Sequence, residues 1–263
     1  MARARGFTLT ELAVVLAIVG LLLGSLMYTL SAQTEQRNFV DTQRRLEEAR
    51  DLVLGFAVVN GRLPCPAAAP PYSPFNNATG TGTESPAGGA CTDAYTGFLP
   101  GKAIGFQPVD SSGYALDATG NPIRYAVSTT SSNRYTTQHT IASPWSLSST
   151  PADLVICAAW GGSTTGCGTA ASVTNTSVVV AVIWSQGKNF RPLAAAGIAS
   201  GSASNDEMAN NKHRLPSVQN NYPVFVWRSP SPSTATTGEF DDQVIWIPAS
   251  VLYSKMIAAG ILP

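Results

Sequence analysis

Gly6-Phe7-Thr8-Leu9-Thr10-Glu11-Leu12-Ala13-Val14-Val15-Leu16-Ala17-Ile18-Val19-Gly20 opens an apolar run unlike anything else in the 263-residue chain. Met1-Ala2-Arg3-Ala4-Arg5 precedes it, and no charged residue follows between Ala13 and Thr34. At the rise of an α-helix, Phe7 to Thr34 covers about 40 Å, more than the roughly 30 Å of a bilayer core, so the run predicts a tilted membrane-spanning helix. Arg3 and Arg5 lie on its short side, which places the N-terminus in the cytoplasm and the rest of the chain outside. Two plainer readings fit less well. A secretory signal peptide needs small residues near its cleavage site, and Leu30 breaks that pattern. A simple anchor leaves Glu11 unexplained, because a carboxylate in a membrane helix is costly and marks function by default.

Beyond Thr34 the chain becomes charged without losing helical periodicity. Phe39, Leu46, Ala49, Val53 and Phe56 keep a three-and-four spacing, the stripe of an amphipathic helix. Asp41 with Arg45 and Arg44 with Glu48 stand four apart on the solvated side. Asn60-Gly61 offers a left-handed cap and Pro64 follows, so the helix is expected to end at Asn60 after about 80 Å. Its first half is apolar nearly all round, and its second half has one stripe suited to lying on a sheet.

The remainder predicts strands separated by polar loops. Ile123 to Val127, Leu154 to Ala159, Val178 to Trp184, Val224 to Trp227 and Val244 to Ile247 are short runs of β-branched and aromatic residues bounded by Gly, Pro, Asn and Ser. They suggest an antiparallel sheet packed on the helix stripe, giving an α+β fold. Pro66 to Gly101 and Ala194 to Pro216 read as loops, and Ser250 to Ala259 as a last amphipathic segment closed by Gly260. The expected organisation is a leader over 1–6, a membrane half of the helix over 7–34, an amphipathic half over 35–60, and one globular head over 61–263.

Charged residues make up 12% of the chain and the formal net charge is zero. That composition, with no basic block after the N-terminal helix, lacks the electrostatic footprint of a nucleic-acid binder. The four cysteines, Cys65, Cys91, Cys157 and Cys167, all follow the apolar segment. An even count in an exported head favours two disulfides over buried free thiols. Of three connectivities, Cys157 with Cys167 across a short Gly/Ser/Thr loop, and Cys65 with Cys91, is the first choice.

Arg5-Gly6-Phe7-Thr8-Leu9-Thr10-Glu11 and the apolar run after it resemble the N-terminal signature of type IV prepilins and type II secretion pseudopilins. The resemblance covers about a tenth of the chain. It implies that a prepilin peptidase cuts after Gly6 and methylates the new N-terminal Phe7, and that Glu11 is the family's assembly glutamate. It also implies a filament subunit without turnover of its own, working with other pilin or pseudopilin subunits, an inner-membrane platform and membrane lipid. Cleavage would create a cationic amine on Phe7 at the positive end of the helix dipole, an unfavourable position that pairing with Glu11 of a neighbouring subunit would relieve. Snorkelling to the headgroups or capping its own helix terminus is the plainer role for Glu11. The lack of proline between Phe7 and Arg62, and a head of about 200 residues, lean toward a minor pilin or pseudopilin rather than a major pilin. Gly61-Arg62-Leu63-Pro64-Cys65-Pro66, Asp117 to Tyr125 and Phe240 to Trp246 are similar to stretches of large pilin-like proteins, and each also reads as a turn flanking a strand.

The head offers no catalytic pattern. His139 and His213 lie in separate polar segments without metal-ligand spacing, and no nucleophile elbow, P-loop or dinucleotide fingerprint is present; Gly80-Thr81-Gly82 is only a fragment. No metal or cofactor is expected. Asp206-Glu207 and Asp241-Asp242 are the densest carboxylates, and related pseudopilins bind calcium through acidic loops. Neither pair has the ligand spacing of a calcium loop, so solvated turn carboxylates or helix caps are the expectation. Trp145, Trp160, Trp184, Trp227 and Trp246 would serve as core residues, or stack on sugars where exposed. Two rival functions follow: a tip adhesin, which exposed Tyr72, Phe75, Tyr95 and Phe98 would favour, and a membrane-anchored periplasmic enzyme, which lacks a nucleophile and base.

Overall fold

The computed structural model describes residues 8–69, 80–141, 151–189, 204–211 and 221–262, apart from the side chains of Leu23, of 25–32 and of Asn189. Uninterrupted by proline, α1 runs over Leu9–Asn60. Gly61 takes a φ of +64°, the left-handed conformation that ends a helix without a Cβ penalty. The Asn60 amide donates back to Phe56 O at 2.9 Å. Two compact units divide the chain, Met1–Asp41 and Thr42–Pro263.

In the second unit the stripe of α1 enters the main core. Leu46, Ala49, Val53, Leu54 and Ala57 are buried in one cluster with residues from all three strands of an antiparallel sheet. That sheet has the order β1-β3-β5, with β1 over Arg124–Val127, β3 over Val179–Ser185 and β5 over Gln243–Pro248. Tyr125 pairs with Ile183 and Ile183 with Ile245, while Ala126 pairs with Val182 and Val182 with Trp246. Successive residues point to opposite faces, and the two core clusters follow that alternation: Tyr125, Val127, Ile183 and Ile247 lie with the helix residues, Ala126, Val182, Trp184 and Val244 with a second layer.

The second layer corrects the expectation of a single antiparallel sheet. β2, Val155–Cys157, and β4, Val224–Val226, form a separate parallel pair. Leu154, Ile156 and Phe225 of this layer cover the sheet's far face. The long chain between β2 and β4 supplies the crossover a parallel pair requires. Coverage on both sides also explains why β3 reads Val-Val-Ala-Val-Ile-Trp-Ser with every residue buried. Arg124, on that far face, is fully enclosed, with its guanidinium 4.3 Å from the Phe98 ring centroid and its Nη2 donating to Thr96 O at 2.6 Å. Burial pulls its pKa down to about 9.

Local polar ties fix the connections. Asp117 Oδ1 accepts from the backbone N–H of Thr119 and Asn121, each at 2.9 Å, and its Oδ2 accepts from Ser185 Oγ at 2.6 Å. Arg45 of α1 donates to Leu116 O at 3.1 Å. Disulfides join Cys65 to Cys91 and Cys157 to Cys167, each with Cα atoms 5.4 Å apart. Beside the first, Glu84 receives Arg62 Nη2 and the Cys65 N–H, both at 2.9 Å. The region read as a loop over Ala194 to Pro216 holds a helix, Asn205–Asn210; 194–203 and 212–216 lie outside the described residues. The C-terminal helix Ala249–Ala258 packs Leu252, Tyr253 and Met256 into the main core.

Candidate functional site: the N-terminal helix

The start of α1 is set by a four-residue signal, Thr8-Leu9-Thr10-Glu11. Thr8 O accepts the first helical bond, from Leu12 N at 3.2 Å, which makes Thr8 the N-cap. Its Oγ1 accepts from Glu11 N at 3.3 Å, and Glu11 Oε2 accepts in return from Thr8 N and Thr8 Oγ1, each at 2.9 Å. This reciprocal exchange is a capping box. In the single chain Glu11 therefore caps its own helix while remaining exposed. Gly6 and Phe7 lie outside the described residues, as do Arg3 and Arg5.

Past the cap, Leu9, Leu12, Val14, Val15, Leu16 and Ile18 are each more than half exposed. At 100° per residue these positions, together with the exposed Ala13, Ala17 and Leu21, encircle the helix, so its surface is apolar nearly all round. Among the described residues no helix is long and apolar enough to cross a membrane. Part of the expected span, Phe7 and the side chains of Leu23 and 25–32, falls outside those residues.

The other candidate residues are placed in the head. Asp206 and Glu207 sit in the first turn of the helix Asn205–Asn210, whose N-cap Ser204 accepts from Glu207 N at 3.2 Å. They are not solvated turn carboxylates: Asp206, Glu207 and Asp242 are all buried, because each finds partners inside the head. Asp206 Oδ2 takes Arg228 Nε at 2.7 Å and its Oδ1 takes Trp160 N at 2.6 Å. Among the described residues no group of three His, Cys, Asp or Glu side chains is arranged to hold a metal. His139 is exposed, and His213 is outside the described residues. Trp184 is fully buried, Trp160 and Trp246 are half-buried, and Trp227 is exposed; Trp145 is not among the described residues. Phe98 is buried, and Tyr95 is half-buried, packed against both core clusters with its hydroxyl bonded to Thr129 and Asp153, while Tyr72 and Phe75 fall outside the described residues. Arg228 and Asn210, which bind the buried carboxylates, are functional-looking residues that sequence reasoning passed over; Ser204-x-x-Glu207 is the local signal for the helix that carries Asn210, and Arg228, after β4, has no such signal.

Residues 1–27 match the family model described as the prokaryotic N-terminal methylation motif. The chain carries this methylation motif. It is characteristic of type IV prepilins and pseudopilins and supports a pilin-like subunit. The matched residues take in the capping box and the first exposed apolar turns of α1, and the motif suggests anchoring in the inner membrane followed by entry into a filament. No curated protein and no solved structure matches the chain.

Proposed function

We propose that the chain is a minor pilin or pseudopilin of a type IV pilus or type II secretion pseudopilus, a structural subunit with no turnover of its own. The observation that carries this reading is the methylation motif at residues 1–27 running directly into a helix whose apolar side chains are exposed on all sides. A prepilin peptidase cuts after Gly6 and the new N-terminal Phe7 is methylated. The first half of α1 sits in the inner membrane with the head in the periplasm, then passes into a filament core. There the same apolar side chains exchange lipid for neighbouring helices, so no face needs to change chemistry between the two settings. An assembly platform, other pilin-like subunits and membrane lipid are its partners.

Glu11 has a defined part in this scheme. Its carboxylate is exposed and accepts from Thr8 of its own helix, so a neighbour's cationic N-terminal amine can take it over during assembly. The pair would fix axial register, because a slip of one helical turn moves the charges apart by about 5.4 Å. Mass spectrometry of the mature N-terminus tests the reading. A methylated chain beginning at Phe7 is expected; a chain beginning at Gln33, or intact Met1 in a cell that contains the peptidase, would overturn it.

A further inference from the structure

The helix Asn205–Asn210 packs Ala209 against Val226 and Phe240 and is tied to the head through three polar side chains. Asp206 binds Arg228 and the Trp160 N–H, and Glu207 Oε1 accepts from Asp241 N at 3.1 Å. The third, Asn210, does something more specific. In the β2–β4 pair, Pro223 O accepts from Val155 N and Trp227 N donates to Cys157 O. The alternation of a strand therefore turns the N–H and C=O of Val226 to the opposite edge. Asn210 occupies both: its Nδ2 donates to Val226 O at 2.9 Å and its Oδ1 accepts from Val226 N at 2.8 Å. A side-chain amide thus fills the edge of β4 as a neighbouring strand would.

The remaining Nδ2 hydrogen of Asn210 goes to Asp242 Oδ2 at 2.9 Å. Asp242 is 5% exposed. The charged groups around it are Glu207 on the helix, Asp241 beside it in the chain, and Arg228 after β4; Lys188, in the 3-10 turn Gly187–Asn189 that follows β3, gives its backbone N–H to Asp241 Oδ2 at 3.0 Å, and Arg228 is shared with Asp206. The Glu207 and Asp241 carboxylates thus act on Asp242 against the Arg228 cation, and an ionised Asp242 would be a buried anion receiving a hydrogen bond from a neutral amide.

We propose that Asp242 is a proton-controlled latch: protonated, it lets the helix Asn205–Asn210 dock and Asn210 cover the edge of β4, and ionised, it loosens the docking and uncovers the Val226 backbone. The direction follows from linkage. Burial first, then the Glu207 and Asp241 carboxylates, push the Asp242 pKa well above the carboxylate range, against the Asn210 hydrogen bond and Arg228. For an acid whose docked pKa is raised, docking is strongest below the free value near about 4 and weakens as pH climbs toward the docked value. The latch is closed in acid and opens on the alkaline side.

Hydrogen–deuterium exchange on the full chain in detergent micelles, at a series of pH values and scaled for intrinsic exchange, tests this. Protection of 205–211 and of Val226 is expected to fall as pH rises, by up to about tenfold per pH unit inside the window, while Val179–Ser185 stays protected. Asp242→Asn should make protection of the helix independent of pH. Should that variant fail to fold, Glu207→Gln keeps an acceptor for Asp241 N, removes one facing charge, and should make the loss of protection smaller and complete at a lower pH, so that its midpoint falls. Helix protection that ignores pH in the wild type, a pH dependence that persists in Asp242→Asn, or an unmoved midpoint in Glu207→Gln overturns the latch.

Discussion

The same four-residue signal opens two helices, as Thr8-x-x-Glu11 at the start of α1 and as Ser204-x-x-Glu207 at the start of the short head helix, and the two have opposite fates. In both, the hydroxyl accepts the backbone N–H of the glutamate. At the N-terminus the carboxylate folds back on Thr8 and stays exposed. In the head Glu207 is buried and reaches Asp241 N instead of serving its own cap residue. A capping signal therefore specifies where a helix begins, while the surroundings decide what its carboxylate is for. One glutamate is tied into the structure of the head. The other is held by a local contact that a partner can replace.

The largest test of that contrast is made on the buried side. Removing the guanidinium in Arg228→Ala would leave Asp206 buried opposite a vacated partner, and breaking such a pair costs about 3 kcal/mol or more. The pair is formed at 2.7 Å with both side chains mostly enclosed, so the chain should show a clearly lower melting temperature by circular dichroism. A melting temperature equal to wild type would mean that the head helix is held by its apolar contacts alone. A smaller effect is expected from the caps. Ser204→Ala should lower head stability by about 1 kcal/mol, measured by denaturant unfolding, while Thr8→Ala should leave the head transition where it is, because Met1–Asp41 and Thr42–Pro263 are separate units. Equal losses in the two variants would erase the distinction.

What could be read from the sequence divides along the same line between local and non-local information. The five strand-forming runs lie within a few residues of β1 to β5, since β-branched residues flanked by Gly, Pro and Asn are a local signal. The end of α1 at Asn60-Gly61 was legible for the same reason. That β2 and β4 pair in parallel was not, because partner choice rests on contacts between Val155 and Val224 far apart in the chain. The burial of Arg124, Asp206 and Asp242 was equally hidden; charged residues are placed inside only when distant groups such as Phe98, Arg228 and Asn210 arrive to meet them. At the N-terminus the legible signal was the motif itself, and the reciprocal bonds between Thr8 and Glu11 follow from its spacing.

The smallest expected effect on folding is at Glu11, and it is the one that bears on assembly. Glu11→Gln keeps an oxygen that can accept from Thr8 N, so the capping box survives with a neutral partner. Glu11→Leu removes the acceptor and makes the segment uniformly apolar, which favours the membrane-resident form. Residue 11 is not part of the core of Thr42–Pro263, so the melting temperature of the head should match wild type in both variants, and membrane insertion and cleavage after Gly6 should match it in Glu11→Gln. Incorporation into filaments should fall in Glu11→Gln, which can still accept a hydrogen bond from a neighbour's amine but carries no charge to attract it, and fall further in Glu11→Leu. Filament yield and cross-linking between neighbouring subunits measure this directly. Incorporation at the wild-type level in both variants would show that Glu11 serves only its own helix, and both glutamates would then be purely structural, one at its own cap and the other tied into the head.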